Sequence, residues 1–377
     1  MIICAVVMLA LLAFTYVGYP ATIGALARLA PVKTGKVPAA AGDVTAATAP
    51  LVSICLPVCD GAGFLAAKVD SLLAQDYPAD RIEILIYCDG CRDDSEAIAR
   101  ALAAEPRAGG RIRVIVAAER LGKPTGINAL AAAARGELLL FNDVRQLLSP
   151  GATRALAAAL VDAAVGCATG ELVLAGGAGS GVYWKYERWI RSQESRFRGV
   201  VGMTGAIAMM RRAEFAPLPE GTILDDVLMP MRLVLAGKRV ALVGDAQAFD
   251  AAFDDDREFR RKVRTLTGNY QLFAMMPALL LPWRNPIWFE TFSHKILRLL
   301  APWFMVVLLL VSLAATADGQ GGVWPLLLGA QIGFYVASAA GRRVGAIGGL
   351  ARTFVVLNAA AVVGLWRFVR RRQRVTW

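Results

Sequence analysis

The stretch ELLLFNDVRQ, residues 137–146, joins an apolar run to a single acid. An apolar segment of this length, bounded by polar residues, is typical of a strand that is buried on both faces of a sheet. The run leads directly to Asp143, and Arg145 stands two residues further on. Many enzymes end a buried strand with two carboxylates at that spacing, which together hold a divalent metal. The stretch therefore predicts a strand-end site that has one carboxylate of such a pair.

Three similar apolar runs precede this strand and alternate with helical segments. The runs are LVSICLPV (51–58), IEILIYC (82–88) and RIRVIVA (111–117), and the helical segments are residues 62–75, 92–104, 124–135 and 150–164. Strands that alternate with helices in this way predict an α/β fold, with a parallel sheet and helices on both of its faces.

Acids follow three of the predicted strands, at Asp60, Asp89 and Asp143. Ligands of parallel sheets bind at the carboxyl ends of the strands, so three acids on one rim of an apolar sheet indicate a binding site. Helix capping is the alternative explanation for Asp89 and Asp143. A dinucleotide site is disfavoured, because no Gly-rich phosphate loop follows the first strand.

The chain as a whole is too apolar for an ordinary soluble protein. The sequence is 56% hydrophobic and its mean hydropathy is +0.50, so membrane spans are expected. Residues 1–19 predict a transmembrane anchor, because this run lacks the basic start of a signal peptide. Positive charges follow at Arg28, Lys33 and Lys36, which places the next domain in the cytoplasm.

Shifts in composition predict the order of the remaining domains. Residues 37–50 are rich in Ala, Thr and Pro and predict a linker before a cytoplasmic domain at 51–275. Residues 277–298 hold several prolines and tryptophans and predict a segment along the lipid headgroups. Residues 299–340 predict a transmembrane hairpin, and residues 353–368 predict a short apolar helix that either spans or re-enters. We therefore expect a multi-pass protein of the cell inner membrane.

Charge and histidine content exclude several function classes. The net charge is +11, and much of the basic excess flanks apolar runs, which favours contact with anionic lipid. No nucleic-acid partner is expected, because the middle of the chain has no basic stripe interleaved with aromatics. The one histidine, His294, lies beside a membrane segment, which excludes Ser-His-Asp and Cys-His catalysis in a soluble pocket and most catalytic zinc sites. The chemistry must rest on carboxylates, Lys and Arg, with or without a bound metal.

Four of the six cysteines form two close pairs in the sequence. Cys55 with Cys59, and Cys88 with Cys91, have the spacing of the two halves of a four-cysteine zinc site. Their positions at strand ends, rather than on tight turns, favour small apolar filler in a reducing compartment instead.

Four segments, taken in order, resemble a known family. They are SICLPVCDGAGFLAAKVDSLLAQDYP (53–78), EILIYCDGCRDDS (83–95), GKPTGINALAAAARGELLLFNDV (122–144) and TILDDVLMPMRLVLAGKRVAL (222–242). The chain resembles the membrane-bound, inverting family 2 glycosyltransferases of GT-A fold, the group that includes cellulose, chitin, hyaluronan and poly-N-acetylglucosamine synthases. The resemblance extends over nearly the whole chain, and its specificity lies in the order and spacing of the segments.

The resemblance implies an enzyme that moves a sugar from a nucleotide sugar, with a UDP-sugar favoured, to a polysaccharide or lipid-linked glycan. It implies that Asp226, beside Asp225, is the general base, and that Asp143 holds Mg²⁺ or Mn²⁺ on the donor diphosphate. It also implies a set of donor-binding residues, with Arg264 on the diphosphate: Pro57, Val58, Asp60, Asp89, Lys123, Asn128, Arg261 and Arg264.

The chain departs from the family pattern at the metal motif, where Val144 and Arg145 replace the second carboxylate. One Asp suffices if the diphosphate supplies other ligands, and Arg145 could instead place a positive charge near the phosphates. The lost acid motivates an alternative function, a non-catalytic nucleotide-binding scaffold of a polysaccharide synthesis or secretion complex. The intact LDDV segment favours the enzyme. The basic cluster at residues 260–264 has an alternative interpretation. It could be a run of basic residues on the surface or a contact with lipid headgroups.

Overall fold

The apolar runs of the sequence form strands that lie side by side. The computed structural model describes residues 1–32, 49–175, 181–251 and 255–370. Within these residues the chain divides into two units, which we call the sheet unit and the helical unit. Of the described residues, the sheet unit comprises 26–32, 49–175, 181–251 and 281–287, and the helical unit comprises 1–25, 255–280 and 288–370.

The helices, in chain order, are α1 (Ile2–Ala13), α2 (Tyr19–Leu29), α3 (Ala62–Leu73), α4 (Ser95–Ala104), α5 (Lys123–Ala133), α6 (Ala152–Ala159), α7 (Gly181–Phe197), α8 (Asp225–Leu235), α9 (Asp255–Met275), α10 (Trp288–Glu290), α11 (Leu297–Ala317), α12 (Val323–Ala340) and α13 (Gly345–Val369). The strands are β1 (Val52–Val58), β2 (Ile82–Asp89), β3 (Ile112–Ala117), β4 (Leu138–Asn142), β5 (Leu147–Leu148), β6 (Val165–Ala175), β7 (Ile207–Arg211) and β8 (Arg239–Ala251).

The described strands form one sheet in the order β3-β2-β1-β4-β7-β6-β8-β5. The first four are parallel, as expected, and β7 runs antiparallel to both of its neighbours. The carboxyl ends of β1, β2 and β4 therefore meet at one edge, which is where such sheets bind ligands. The α/β class is confirmed, and the sheet is mixed rather than wholly parallel.

The strands of the parallel half are buried as their composition predicts. Every residue of β1 and β2 is buried, because helices cover both faces of a sheet of this kind. Ile54, Leu56 and Ile84 are fully buried in the main core cluster. Burial of one such side chain contributes roughly 1.5–3 kcal/mol relative to leaving it exposed, so this core fixes the register in which the strand ends align.

Neither β6 nor β7 is predicted as a strand from the sequence. The segment IAMMR, which forms β7, contains Ala and two Met residues, and these residues favour helices over strands. It becomes a strand because β4 and β6 pair with it on both sides. Tertiary pairing therefore overrides local propensity in this half of the sheet.

Some of the described helical stretches are long and apolar enough to cross a membrane. They are Ile2–Leu29, Trp288–Ala317 and Val323–Val369. The first passes through a π-helical turn at Phe14–Gly18 and continues beyond the expected anchor at 1–19. The third contains α12 and α13, and α13 includes the whole of the apolar segment expected at 353–368. Most of the expected linker, residues 37–48, and the basic tail from residue 371 lie outside the described residues.

A polar contact joins the first helix of the chain to α13 within the helical unit. Asn358 is 5% exposed, and its amide donates to the Phe354 carbonyl over 2.9 Å and to the Tyr16 hydroxyl over 3.3 Å. The Tyr16 ring also packs against Phe354, with 4.7 Å between the ring centroids. A hydrogen bond of this kind between apolar helices contributes about 0.6–2 kcal/mol.

Candidate functional site

Lys123 brings two acids from different motifs together in the sheet unit. It is the first residue of α5, and its ammonium nitrogen lies 2.9 Å from Oδ1 of Asp143 and 3.2 Å from Oδ2 of Asp225. Asp143 directly follows β4, and Asp225 begins α8. The strand-end acid and the acidic pair therefore meet at one cation.

The position of Lys123 follows from the turn before it. Gly122 has a φ of +89°, which glycine adopts without steric cost, and the turn leads the chain into α5. A lysine in the first turn of a helix is disfavoured by the helix dipole. Burial lowers the pKa of Lys123, but the charges of Asp143 and Asp225 outweigh burial and raise this pKa above its ordinary value. Lys123 is thus a fixed positive charge.

Asp225 and Asp226 differ in what they face, because successive helical residues point about 100° apart. Asp225 is 5% exposed and paired with Lys123, whereas Asp226 is half-buried. A Cβ atom on Gly205 would lie 3.6 Å from Oδ2 of Asp226 and 3.7 Å from Oδ2 of Asp143. These two oxygens therefore face the same space beside Gly205, and the missing side chain keeps that space open.

The donor atoms around this space suit a divalent cation. Three carboxylates surround one ammonium, which leaves a negative excess. Oδ1 of Asp143 is paired with Lys123, so Oδ2 is the oxygen that faces the space beside Gly205. Oδ1 of Asn142 is buried and has no hydrogen-bond partner among the described residues. Carboxylate and amide oxygens are ligand types that Mg²⁺ and Mn²⁺ prefer, so the residues fit such an ion, with Asp143 as its main ligand.

A small cavity lies next to the cluster. Its volume is about 10 Å³, enough for about one water molecule. Pro57, Lys123 and Asn142 contribute to its wall. Of the residues predicted to line the donor pocket, Pro57 thus lies near Lys123. Val58 is fully buried in the core, and its carbonyl accepts a hydrogen bond from the thiol of Cys91.

Arg145, which replaces the second metal acid, is held by β8. Its Nη2 donates to Oδ1 of Asp250 over 2.8 Å, and Gln146 donates to Oδ2 of the same carboxylate over 2.6 Å. The Asp250 side chain is 4% exposed. The guanidinium of Arg145 also lies over the Phe64 ring at 5.9 Å. This pair fixes the loop that follows Asp143.

Asp89, at the end of β2, is used differently from Asp143. It is fully buried, and its two oxygens accept hydrogen bonds from the backbone amides of Leu121 and Gly122, over 2.7 and 2.9 Å. From the sequence, Asp89 is expected to contact the base or ribose of a donor. The structure places this carboxylate on the turn that leads to Lys123, with no exposed oxygen, and its contact with a donor stays a prediction.

Asp60, at the end of β1, clamps two loops at the surface. Its carboxylate accepts a hydrogen bond from the backbone amide of Arg92 over 2.8 Å and another from the Arg120 guanidinium. The Arg92 amide and the Arg120 side chain hold the pKa of Asp60 below its usual value, against a smaller effect of burial. Its φ of +51° is in the left-handed region, which Asp tolerates better than most residues.

Asn128, also expected near the nucleotide, is engaged with the backbone. Its amide nitrogen donates to the Leu218 carbonyl over 2.9 Å, and its oxygen accepts from the Leu218 amide over 2.8 Å. These bonds tie α5 to the segment before α8. Arg261 and Arg264 are exposed residues of α9 in the helical unit, so their role toward a donor remains a prediction.

The cysteines do not form the four-cysteine site that their spacing allows. Cys55 is buried and contacts the carbonyl of Ser53. Among the described residues, potential ligand atoms of Asp60, Cys91 and Asp93 come within 4.8 Å of one another. The oxygens of Asp93 already accept hydrogen bonds from Ala62 and Ser95. We assign no metal to this group, because its oxygens serve to hold loops.

Two charged residues near the site are not predicted from the sequence. Arg191, on α7, donates to the Thr204 hydroxyl over 3.3 Å, and the charge of Asp226 acts on it. Burial lowers the pKa of Arg191, and nearby acids oppose that effect. Lys68, on α3, is fully buried and donates to the Gln146 carbonyl over 2.6 Å. Burial lowers the pKa of Lys68 to about 7, although the charge of Asp143 opposes the change.

The first comparison with known proteins concerns the family of the sheet unit. Residues 53–216 match the family described as Glycosyl transferase family 2. This range contains Asp143 and ends before Asp225.

Two relatives match shorter parts of the chain. An N-acetylglucosaminyltransferase of Rhizobium meliloti is 30% identical over 190 residues, which cover 48% of this chain and 43% of that protein. An uncharacterized glycosyltransferase of Rickettsia prowazekii is 48% identical over 50 residues, which cover 13% of this chain and 15% of that protein. The chain thus matches less than half of the length of either relative.

A solved structure with a similar fold covers almost the whole chain. It is a mannosyltransferase from Pyrobaculum calidifontis in complex with GDP-Man and Mn²⁺, with a TM-score of 0.74, 19% identity, and coverage of 98% of this chain and 100% of that chain. At this identity the likeness shows the fold alone. Residues 53–216 thus match glycosyltransferase family 2, and the chain has the GT-A glycosyltransferase fold.

Proposed function

We propose that the protein is an inverting glycosyltransferase that moves a sugar from a nucleotide sugar to a polysaccharide or lipid-linked glycan at a membrane. One observation carries the proposal. Oδ2 of Asp143 and Oδ2 of Asp226 face one space beside Gly205, next to the buried cation of Lys123. A candidate base, a candidate metal ligand and a fixed positive charge therefore surround the place where a donor and an acceptor would meet.

Asp226 is the general base of the proposed reaction. Asp225 is held by Lys123 at 3.2 Å, so Asp226 is the acid of the pair whose oxygen reaches the open space. A carboxylate that takes a proton from a hydroxyl in the transition state accelerates a reaction by about 10²–10⁴-fold.

The transfer is a single displacement at the anomeric carbon. The acceptor oxygen bonds to this carbon while its proton moves to Asp226. The bond from the carbon to the donor phosphate oxygen breaks, and its electron pair leaves with the nucleoside diphosphate. Because the acceptor attacks from the face opposite the leaving group, the configuration inverts.

The leaving diphosphate needs positive charge. Lys123 supplies one permanent charge at the end of β4, and its raised pKa keeps it protonated at neutral pH. A Mg²⁺ or Mn²⁺ ion held by Asp143 would neutralise charge on the diphosphate oxygens. Arg261 and Arg264 are proposed to contact the donor phosphates as well.

The choice of donor and acceptor draws on the relatives and on the apolar helices. The Rhizobium relative is named an N-acetylglucosaminyltransferase, which supports a UDP-sugar, and the structural neighbour was solved with GDP-Man. Three stretches of the described residues are long and apolar enough to span a membrane, which supports a membrane-bound acceptor. A multi-pass topology in the inner membrane, with the sheet unit in the cytoplasm, is part of the proposal.

The test is release of nucleoside diphosphate by the full chain in nanodiscs, with membrane extract as the source of acceptor. UDP-GlcNAc is the first donor, and GDP-mannose and dTDP-glucose are tested in parallel. Each reaction is run with Mg²⁺, Mn²⁺ or EDTA. We expect release from one donor, loss of at least about a hundredfold in Asp226→Asn, and loss with EDTA.

The matched control is Glu220→Gln, which removes an exposed carboxylate six residues before Asp226. It should keep wild-type activity. Full release by Asp226→Asn would refute the assignment of the base. Tight nucleotide binding without release from any donor would instead favour the non-catalytic scaffold.

A further inference from the structure

A second concave site lies in the sheet unit, along α7. It is a groove of about 430 Å³ between α7, β6 and β8. Sites for small organic ligands have volumes of roughly 300–1,000 Å³. Its wall includes one acid, three cations, an aromatic ring and hydroxyl groups, with these residues as the main contributors: Glu171, Lys185, Arg188, Trp189, Ser192 and Arg196. None of these residues belongs to the cluster around Lys123.

The groove is long because its lining residues form one stripe of a helix. Lys185, Trp189, Ser192 and Arg196 recur at intervals of three or four residues, so they share a face of α7. Lys185 and Arg196 are separated by about three turns, or roughly 16 Å along the axis. The two cations therefore stand near opposite ends of the groove, with Trp189 between them.

The charge of the groove favours an anion. Arg188 is neutralised by Glu171, to which its Nε and Nη2 donate over 2.5 and 2.6 Å. Lys185 and Arg196 are exposed, and their side chains form no hydrogen bond or ion pair with other residues of 49–175 or 181–251. Two uncompensated cations at this separation suit a ligand that carries anionic groups at intervals, rather than a single phosphate.

The rest of the lining favours a saccharide. Trp189 is 42% exposed and offers an aromatic face, which pairs an apolar surface with a polar edge. Ser195, which also lines the groove, accepts a hydrogen bond from the Leu242 amide over 2.9 Å, so its hydroxyl proton is available to a ligand. An aromatic face beside hydroxyl groups matches a ring that has both C–H faces and hydroxyls. A helix that lies on lipid would instead present a convex apolar face.

The same helix connects the groove to the proposed base. Arg191 lies on a different face of α7, where it contacts Thr204 and is influenced by the charge of Asp226. A chain bound along the groove would therefore lie on the helix whose other side reaches the site of transfer. This places the groove where the acceptor or the product could be held.

We propose that the groove along α7 binds an acidic glycan, as the acceptor or product of the transfer. Only the last clause, in which the glycan is the acceptor or product, rests on the proposed function. Binding of an acidic oligosaccharide requires neither donor nor turnover, so its measurement stands apart from the nucleotide-release experiment. A failure of transfer would leave the groove as a binding site, and a failure of binding would leave the transferase intact.

The test is calorimetric titration of the full chain, in nanodiscs of neutral lipid, with tetragalacturonate. The uncharged tetrasaccharide maltotetraose and soluble dihexanoyl-phosphatidylglycerol are titrated in parallel. We expect tetragalacturonate to bind, and Lys185→Glu/Arg196→Glu to weaken it at least tenfold. Trp189→Ala, which leaves the charge unchanged, should weaken it as well. The control Arg100→Glu/Arg107→Glu changes the net charge equally at other exposed sites and should bind as the wild type does.

Three outcomes would overturn the proposal. They are equal binding of the acidic and the neutral tetrasaccharide, undiminished binding by Lys185→Glu/Arg196→Glu, and preferential binding of the lipid headgroup in the groove. Circular dichroism checks the fold of each variant. If the charge-reversed variant unfolds, Lys185→Gln/Arg196→Gln replaces it, with the same tenfold criterion.

Discussion

The acids at the carboxyl edge of the sheet are used in two ways. At the ends of β1 and β2, Asp60 and Asp89 accept hydrogen bonds from backbone amides and hold loops in place. At the end of β4 and the start of α8, Asp143 and Asp226 turn oxygens toward open space beside Gly205. The same residue type therefore stabilises one end of the edge and is available for chemistry at the other. What distinguishes the second end is that one oxygen of each acid faces the space beside Gly205.

The largest expected effect is on catalysis, and it concerns the acids at the end of β4 and the start of α8. Asp143→Asn should lower kcat/KM by about a thousandfold, because loss of electrostatic stabilisation at a transition state costs about 10²–10³-fold and the proposed metal loses its main ligand as well. Thermal unfolding should change little. Kinetics of nucleotide release and a melting curve in nanodiscs measure both. An equal loss of stability in this variant and in Asp89→Asn would erase the distinction between the two ends.

Asp89→Asn should act mainly on stability. One of the backbone amides at Leu121 and Gly122 would then face an amide nitrogen, and charged hydrogen bonds contribute about 1.5–3 kcal/mol each. We expect a loss of about 3 kcal/mol in unfolding free energy, measured by denaturant titration. Residual activity at low temperature, where the variant is folded, should exceed that of Asp143→Asn. A variant that is fully stable yet inactive would give Asp89 a direct role at the donor.

Lys68 should make stability depend on pH. Its pKa is about 7 in the folded protein, against an ordinary value of 10.5 for a solvated lysine. Between these values the unfolded chain binds more protons than the folded one, so stability rises with pH. We expect a gain of about 2 kcal/mol between pH 7 and pH 9, which Lys68→Met should abolish.

The control for this prediction is Lys238→Met. Lys238 also donates to a backbone carbonyl, that of Ala163, over 2.6 Å, but its side chain is 33% exposed. Its loss should leave the pH dependence of the wild type. Unfolding of the three proteins at pH 7, 8 and 9 provides the comparison, and the same slope in Lys68→Met as in the wild type would contradict the prediction.

The smallest effect is expected for Asp60, the exposed acid near the end of β1. Asp60→Asn removes the charge that pairs with Arg120 while keeping a residue that tolerates a positive φ. Exposed ion pairs contribute about 0–1 kcal/mol, so we expect a loss below about 1 kcal/mol by the same denaturant titration. A loss comparable to that of Asp89→Asn would show that the exposure of Asp60 does not make its contribution to stability smaller than that of Asp89.

The sequence predicts the parallel half of the sheet well, for a physical reason. β1, β2 and β4 are covered on both faces and therefore appear as continuous apolar runs, which local inspection detects. β7 is a strand only because distant segments pair with it, so no local pattern marks it. Asp143 and Asp225 were found through motif order, and their meeting at Lys123 followed only from the fold.

Other features of the site left no signal in the sequence. Hydrogen bonds from backbone amides to Asp89 depend on the path of a loop some thirty residues away along the chain. In the sequence, Lys68 stands where an amphipathic helix would have a surface residue. Its burial depends on how the loop after β4 packs. Arg191 and the groove along α7 depend on the placement of α7 beside β6 and β8.

The contact between Tyr16 and Asn358 bears on how the chain is made. The two residues are 342 positions apart, so ribosomal synthesis at about 5–20 residues per second separates their appearance by roughly 20–70 s. Throughout that interval this contact cannot form, because α13 has not yet been synthesised. The order of biosynthesis thus makes the two ends of the helical unit the last parts to be joined.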